Sequence, residues 1–312
     1  METGRDRALN VMKWVNQGLV FVPSGEIPWM RTHAALPVTD RTGVNEHAVY
    51  FSSRDDSGRS QIGRLDLNLE GPARVVGIRG EPIVALGAIG TFDDSGVTSG
   101  CLVNHGGKKY LYYSGWTLGV TVPFYFYIGL AVSEDGGRTF QKVSPAPVLG
   151  RSAADPYLTA SPSVMVEGGV WRMWYVSCVR WEIEDGRPKH YYHVKYAESA
   201  DGIRWGDERR VSIDFQGEDE YAIGRPCVRK DSGVYRMWYC CRGTSYRIGY
   251  AESADGNNWT RKDGDAGIEY SASGWDSEMQ AYPWVFDEAG GLYMLYNGNA
   301  YGKTGFGIAK AV

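Results

Sequence analysis

No stretch of this 312-residue chain approaches the roughly 20 consecutive apolar residues that a membrane helix requires, so no span and no membrane partner is expected. The N-terminal segment METGRDRALNVMKWVNQG carries charges where a signal peptide needs an apolar core, which predicts a cytoplasmic protein. A basic excess is missing as well: the net charge is -4 and Lys and Arg are scattered, which argues against nucleic acid as a partner. Cysteine is scarce and odd in number. Cys101, Cys178, Cys227, Cys240 and Cys241 lack metal-ligand spacing, so buried reduced thiols are expected rather than a disulfide framework, and the adjacent pair reads as packing. The composition that would signal disorder is absent too; Gly 41, Tyr 21 and Trp 11 describe a turn-rich, aromatic-rich globular chain.

Internal repetition is the organising signal. Pro162 opens PSVMVEGGVWRMWY and later VKYAESADGIRW; Pro226 opens PCVRKDSGVYRMWY and later RIGYAESADGNNW. Weaker copies start at Pro37 (PVTDRTGVNEHAVYF, then IGRLDL), Cys101 (CLVNHGGKKYLYY, then IGLAVSEDGGRTF) and Pro283 (PWVFDEAGGLYMLY, then FGIAKAV). These anchors lie 57 to 64 residues apart. Each unit reads as a short apolar strand, a turn, an alternating aromatic strand, a third strand and a turn leading to a Trp or Phe. Four strands per unit, repeated, predict an all-β, five-bladed β-propeller in one domain spanning 1–312, its blades starting near 33, 94, 155, 219 and 276. The last unit stops after its third strand, whereas residues 12–21 read as an isolated fourth strand with Trp14 in the place of Trp205 or Trp259. That segment is expected to complete the last blade and remove two open sheet edges.

SEDGGRTF, Ser133 to Phe140, resembles the Asp box of sialidases, and SADGIRW and SADGNNW are degenerate copies. Asp135, Asp201 and Asp255 are expected to hold their own turns, with Gly136, Gly202 and Gly256 supplying permissive dihedrals.

Residues preceding the anchors should converge on one mouth at the axis, and they are strongly polar. Asp94, Asp155, Asp219 and Asp276 recur seven residues before an anchor, a spacing that suits either a brace or a catalytic group, while Glu220 and Glu278 break the repeat. Crowded carboxylates raise one another's pKa, as a general acid requires, so the centre is expected to be lined by carboxylates. His33 stands at the lip of the first blade. Arg225, Tyr282 and, after the second strands, Arg54, Trp116, Arg242 and Asn297 should approach the same mouth and hold substrate. The inserts Trp116–Tyr127 and Val179–Tyr192 should form its rim. Carboxylate oxygens suit calcium, but no contiguous calcium motif is present, and no metal or cofactor is expected.

With its five repeats, central acids and RMWY strands followed by GYAESADGxxW, the chain resembles the five-bladed propeller glycosidases of the arabinanase, xylosidase and invertase kind. It is more similar still to glycosidase-like proteins of bacterial sugar and nucleoside pathways, which carry His-Ala near the start, TFDDSG in the second blade and WDSEM in the last. The resemblance implies three acids from different blades, roles that Asp94, Asp155 and Glu220 or Glu278 fill by position. It departs at the first blade, where His33 replaces the usual aspartate. The leading expectation is cleavage of a glycosidic bond in a sugar, nucleoside or nucleotide-sugar small molecule, with Glu278 or Glu220 as acid, Asp94, Asp155 or His33 as base and Asp155 as an alternative orienter. Dehydration or epimerisation by the same groups, phosphorolysis, and a non-catalytic sugar-binding platform are the alternatives. Nothing in the sequence specifies an oligomeric state.

Overall fold

The alternating segments become twenty strands in a computed structural model that describes residues 12–312. The charged stretch 1–11, part of the segment read against a signal peptide, lies outside the described residues. Among the described residues no helix is long and apolar enough to cross a membrane.

Each repeat forms an antiparallel group of four. The first contains β2 (Thr32–Gly43), β3 (Glu46–Arg54), β4 (Ser60–Asn68) and β5 (Arg74–Ile78). The second contains β6 (Gly96–His105), β7 (Lys108–Leu118), β8 (Phe124–Ser133) and β9 (Gln141–Lys142). The third contains β10 (Thr159–Glu167), β11 (Val170–Glu184), β12 (Arg187–Ser199) and β13 (Arg210–Ile213). The fourth contains β14 (Ala222–Asp231), β15 (Val234–Arg242), β16 (Tyr246–Ser253) and β17 (Thr260–Arg261). The fifth joins β18 (Ala281–Glu288), β19 (Gly291–Asn297) and β20 (Phe306–Ala311) to the N-terminal β1 (Trp14–Phe21). The strand expected over 12–21 is thus found at Trp14–Phe21, antiparallel to β20. Single parallel bridges, Ser60 to Gly96 and Tyr192 to Ala222, merge groups one with two and three with four into continuous sheets.

The core lies between the groups, because each strand face that alternation leaves apolar must be covered by a neighbouring sheet. Val49, Phe51 and Leu65 of the first group pack on Phe286, Leu295 and Ile308 of the fifth. Equivalent buried clusters join groups one and two, two and three, three and four, and four and five. The first strands pack in a cycle, β2 on β6, β6 on β10, β10 on β14, β14 on β18 and β18 on β2. Trp284 touches four of these clusters from the middle and donates to Thr39 Oγ1 at 2.9 Å.

Polar side chains tie adjacent first strands together. Cys101 Sγ accepts from Val164 N at 3.2 Å, Ser163 Oγ from Val228 N at 3.0 Å and Cys227 Sγ from Val285 N at 3.2 Å. All five cysteines are buried and free, and burial pushes the thiols of Cys101 and Cys240 up to about 12. The Asp boxes fold as the sequence predicts. Asp135, Asp201 and Asp255 each accept two backbone N–H groups of their own turn between third and fourth strands. The turn also locks the neighbouring group: Tyr112 donates to Gly202 O at 2.7 Å, and a Cβ at Gly202 would stand 2.7 Å from that hydroxyl oxygen.

Candidate functional site

A single backbone device recurs at the start of four first strands. Leu36, Ser161, Arg225 and Tyr282, each immediately before an anchor proline, have φ of 53°, 48°, 53° and 57°. Left-handed backbone costs a non-glycine residue roughly 1–2 kcal/mol. Proline also disfavours the right-handed helical region for the residue before it, and each site coincides with a register shift in its ladder. The bulge turns the side chain towards the axis, and all four residues line one cavity of about 510 Å³.

The cavity wall is aromatic and basic. Trp116, Phe124 and Phe126 come from the β7–β8 hairpin, Tyr192 and His190 from β12, and Arg54, Arg242, Tyr246 and Tyr301 from or beside the other second hairpins. Trp116 is fixed by donating to Ser60 Oγ at 2.8 Å. The Tyr192 and Tyr246 hydroxyls share a short hydrogen bond, and burial holds the Tyr246 phenol well above its usual range. Arg242 lies 5.3 Å from the rings of Tyr221 and Tyr246 and 5.7 Å from Tyr301. Burial opposes its charge, but Tyr301, Tyr221 and Tyr246 together raise its pKa. Arg225, only 2% exposed, forms the floor: its Nη1 donates to Gly100 O and its Nη2 to Pro37 O at 3.3 Å, with Trp284 beneath at 5.9 Å.

The expected carboxylate lining is corrected by these positions. No Asp or Glu lines this cavity among the described residues. Asp155 is fully buried elsewhere, accepting from Tyr175 Oη at 2.9 Å and Ser177 Oγ at 2.6 Å, with Lys195 and Arg209 within 3.4 Å. Asp276 does the same for Tyr296 at 2.8 Å. In the second group the brace is Asp93, which accepts from Tyr113 at 2.9 Å and Lys142 at 2.6 Å. Asp94 caps its turn through Gly90 N and Ser95 Oγ. The repeated acid therefore pins the loop before a group to that group's second-strand tyrosine twenty residues on, and does not line the cavity. Glu220 takes both Arg261 Nη atoms, at 2.7 and 2.8 Å, and Asp219 is exposed. Glu278 is exposed, and among the described residues only its backbone is hydrogen-bonded. Asn297, wholly buried, links the fifth group to the first through Leu36 N at 2.9 Å and Ala34 O at 2.6 Å.

Arg54, Trp116, Arg225, Arg242 and Tyr282 are brought together in the cavity. His33 stands on strand β2 beside Thr32, which pairs with Arg54, and bonds Thr32 Oγ1 at 2.9 Å with φ of 62°. Phe124, Phe126, His190 and Tyr192 fall within the two inserts expected at the rim without being singled out individually, and sequence reasoning missed Tyr246 and Tyr301. The position just before the anchor, used for Arg225 and Tyr282, also marks Leu36 and Ser161; the hairpin aromatics carry no comparable signal. Among the described residues no three or more His, Cys, Asp or Glu side chains are placed to hold a metal ion.

His190, which lines the cavity, and His33, which does not, are both kept neutral. Burial, then Arg54 and Lys303, lowers His33 to about 4; burial, then Arg242 and Lys189, lowers His190 to about 4. His47 and His193 are lowered too, mainly by burial. An unfolded histidine takes a proton near 6.5, whereas these do so only at lower pH in the native state. The unfolded chain then binds more protons across that window, so folding stability is full above about pH 6.5 and falls as the pH drops towards about 4. Urea midpoints measured from pH 7.5 to 4 are expected to fall steadily below 6.5; a midpoint independent of pH down to 4 would contradict this.

No family model matches the chain. Two Mycobacterium tuberculosis sequences, "Uncharacterized protein Rv1502" of strain H37Rv and "Uncharacterized protein MT1551" of strain CDC 1551, are each 45% identical over 298 residues, covering 96% of this chain and 99% of their own length. Among solved structures, a "Glycoside hydrolase" aligns with a TM-score of 0.73 over 96% of this chain and 92% of its own, at 17% identity. A GH130 structure, described as belonging to a family of mannoside phosphorylases that contains glycoside hydrolases, aligns with a TM-score of 0.70 over 99% and 96% at 15% identity. The GH43_1 enzyme from Xanthomonas citri, complexed with xylose, aligns with a TM-score of 0.63 over 97% and 90% at 14% identity. At such identities the likeness is one of fold, an all-β arrangement of sheets shared with propeller glycoside hydrolases. The chain belongs to the family of the two Mycobacterium tuberculosis proteins.

Proposed function

We propose that this chain is one five-bladed propeller domain working as a glycosidase-like enzyme, and that it cleaves a glycosidic bond of a sugar-bearing small molecule in the axial cavity. The observation that carries the reading is the cavity itself, whose four inward bulges spend backbone strain to aim Leu36, Ser161, Arg225 and Tyr282 at one space walled by aromatic faces. Trp116 and Tyr282 offer faces for a sugar ring, while the arginines hold its polar substituents.

The proton acceptor is an imidazole rather than an aspartate. His190 lies in the wall, stacked on Tyr192 at 4.9 Å, and is uncharged at neutral pH because of its burial and of Arg242. It takes the proton of the attacking water, and His33, which is not among the cavity-lining residues but lies near Arg54, is the second candidate. His190→Asn is expected to lower kcat by roughly 10²–10⁴-fold with KM little changed. Turnover on a panel of glycosides, sugar phosphates and nucleotide sugars, read by mass spectrometry, tests both points; no product from any member, or full activity in the variant, would refute the reading.

The lack of a carboxylate pair favours a second reading, in which the same imidazole abstracts a proton from the sugar and water is eliminated or a centre epimerised. Product mass separates the two, since hydrolysis adds one water across the fragments and dehydration removes one from an intact substrate.

A further inference from the structure

We infer that the leaving group cleaved in this cavity is a phosphate or diphosphate held by Arg225, Arg242 and Arg54, so that the substrate is a glycosyl phosphate. This rests on the proposed glycosidic cleavage and specifies its substrate.

The first support is charge. Acids outnumber bases in the chain, 37 to 33, yet among the described residues the cavity presents three guanidiniums and no carboxylate. Arg225 is 2% exposed, and among the described residues its Nε is buried without a partner and its side-chain hydrogen bonds run only to the carbonyls of Gly100 and Pro37. A buried guanidinium remains charged, and neutral carbonyls compensate it poorly compared with an oxyanion. Arg242, from the same group as Arg225, and Arg54, from the first group, reach the same space, and among the described residues neither has a carboxylate partner, Arg242 resting on tyrosine faces. Guanidinium forks match the paired oxygens of phosphate.

The second support is the missing acid. A sugar alkoxide is a poor leaving group, and glycosidases protonate it with a carboxylic acid. A phosphate leaves as a stable anion and needs no proton. In the step proposed, water oxygen bonds to the anomeric carbon and the bond from that carbon to the phosphate oxygen breaks. The electron pair departs with phosphate, whose charge the arginines take up, and the water proton goes to His190. The products are the free sugar and phosphate or a nucleoside diphosphate.

Isothermal titration with inorganic phosphate, uridine diphosphate, glucose 1-phosphate, glucuronate and glucose tests the site on the full chain. The phosphate-bearing probes are expected to bind and to weaken with added salt, whereas glucose and glucuronate bind at least 10-fold more weakly. Arg242→Gln and Arg54→Gln, on the wall rather than the floor, are expected to weaken phosphate binding at least 10-fold each at an unchanged melting temperature. Equal binding of glucose or glucuronate, or unaltered phosphate binding in the double variant, overturns the inference. With a turned-over glycosyl phosphate in ¹⁸O-water, the label belongs in the sugar; label in phosphate overturns the bond assignment. Phosphate binding with no turnover of any sugar defeats the enzymatic reading and leaves the anion site standing. Turnover of neutral glycosides at parental rates in Arg242→Gln defeats the anion site and leaves the enzyme.

Discussion

Removing residues 1–21 is expected to abolish cooperative unfolding, leaving a chain that aggregates or melts without a sharp transition. The deleted segment contains β1, which pairs with β20 from Trp14 opposite Ala311 to Phe21 opposite Phe306. Its two ends clasp different neighbours. Trp14, 5% exposed, meets Trp238 of the fourth group edge-on at 6.1 Å; Phe21, 9% exposed, meets Phe51 of the first at 5.1 Å. Between them Asn16 donates to Asp276 at 3.1 Å. Truncating a buried Phe or Trp costs about 3–5 kcal/mol, and a domain has only about 5–15 kcal/mol in all. Deletion loses both aromatics and also bares the edge of β20 to intermolecular pairing. Phe21→Ala alone should lower stability by about 3–5 kcal/mol in urea titrations followed by tryptophan fluorescence. A deletion variant with the parental midpoint would show that the strand is dispensable.

Asp155→Ala should be nearly as damaging, and for a reason unrelated to catalysis. The carboxylate is 0% exposed and compensates Lys195 and Arg209 while accepting from Tyr175 and Ser177. Removing one partner of a buried ion pair costs about 3–5 kcal/mol, because the remaining charges stay buried without compensation. Tyr175→Phe, which deletes one hydrogen bond and keeps the ring, should cost about 1–2 kcal/mol. Once a substrate is in hand, activity per folded molecule should be close to parental in both variants. The pair of measurements separates brace from catalyst. A fully stable Asp155→Ala protein without turnover would restore the aspartate to the reaction.

The brace explains why the sequence pointed to a carboxylate centre. An acid at a fixed distance before four of the five anchors looks the same whether it faces the axis or the flank of its own group. What differs is which tyrosine it meets. In the second group the functional equivalent is Asp93 rather than its neighbour Asp94, and in the fourth Tyr239 is held by Asp263 instead of Asp219. Glu220, singled out because it breaks the repeat, does so to meet Arg261, 41 residues away along the chain. No spacing rule reveals such a partner. Cys240 illustrates the same limit. It reads as packing, yet its Sγ accepts from Tyr282 N at 2.8 Å and so helps hold a cavity bulge.

By itself the sequence determined the repeat, the four strands in each unit, the Asp-box turns and the N-terminal strand that joins the last unit. All of these rest on alternation, glycine placement and spacing, which act over a few residues and are written in local order. It also picked out Arg54, Trp116, Arg225, Arg242 and Tyr282, because positions next to an anchor or at the end of a second strand must lie near the axis. Only the tertiary structure decided which of the polar residues share a space. The left-handed bulges before the prolines swing Arg225 and Tyr282 inward, the acids turn to tyrosines and cations of their own groups, the long hairpins bring His190 and Phe126 over the opening, and the tight β15–β16 turn adds Tyr246. Side-chain direction depends on backbone dihedrals and on partners far away in sequence, so the sign of the charge in the cavity emerged only when the five groups were packed together.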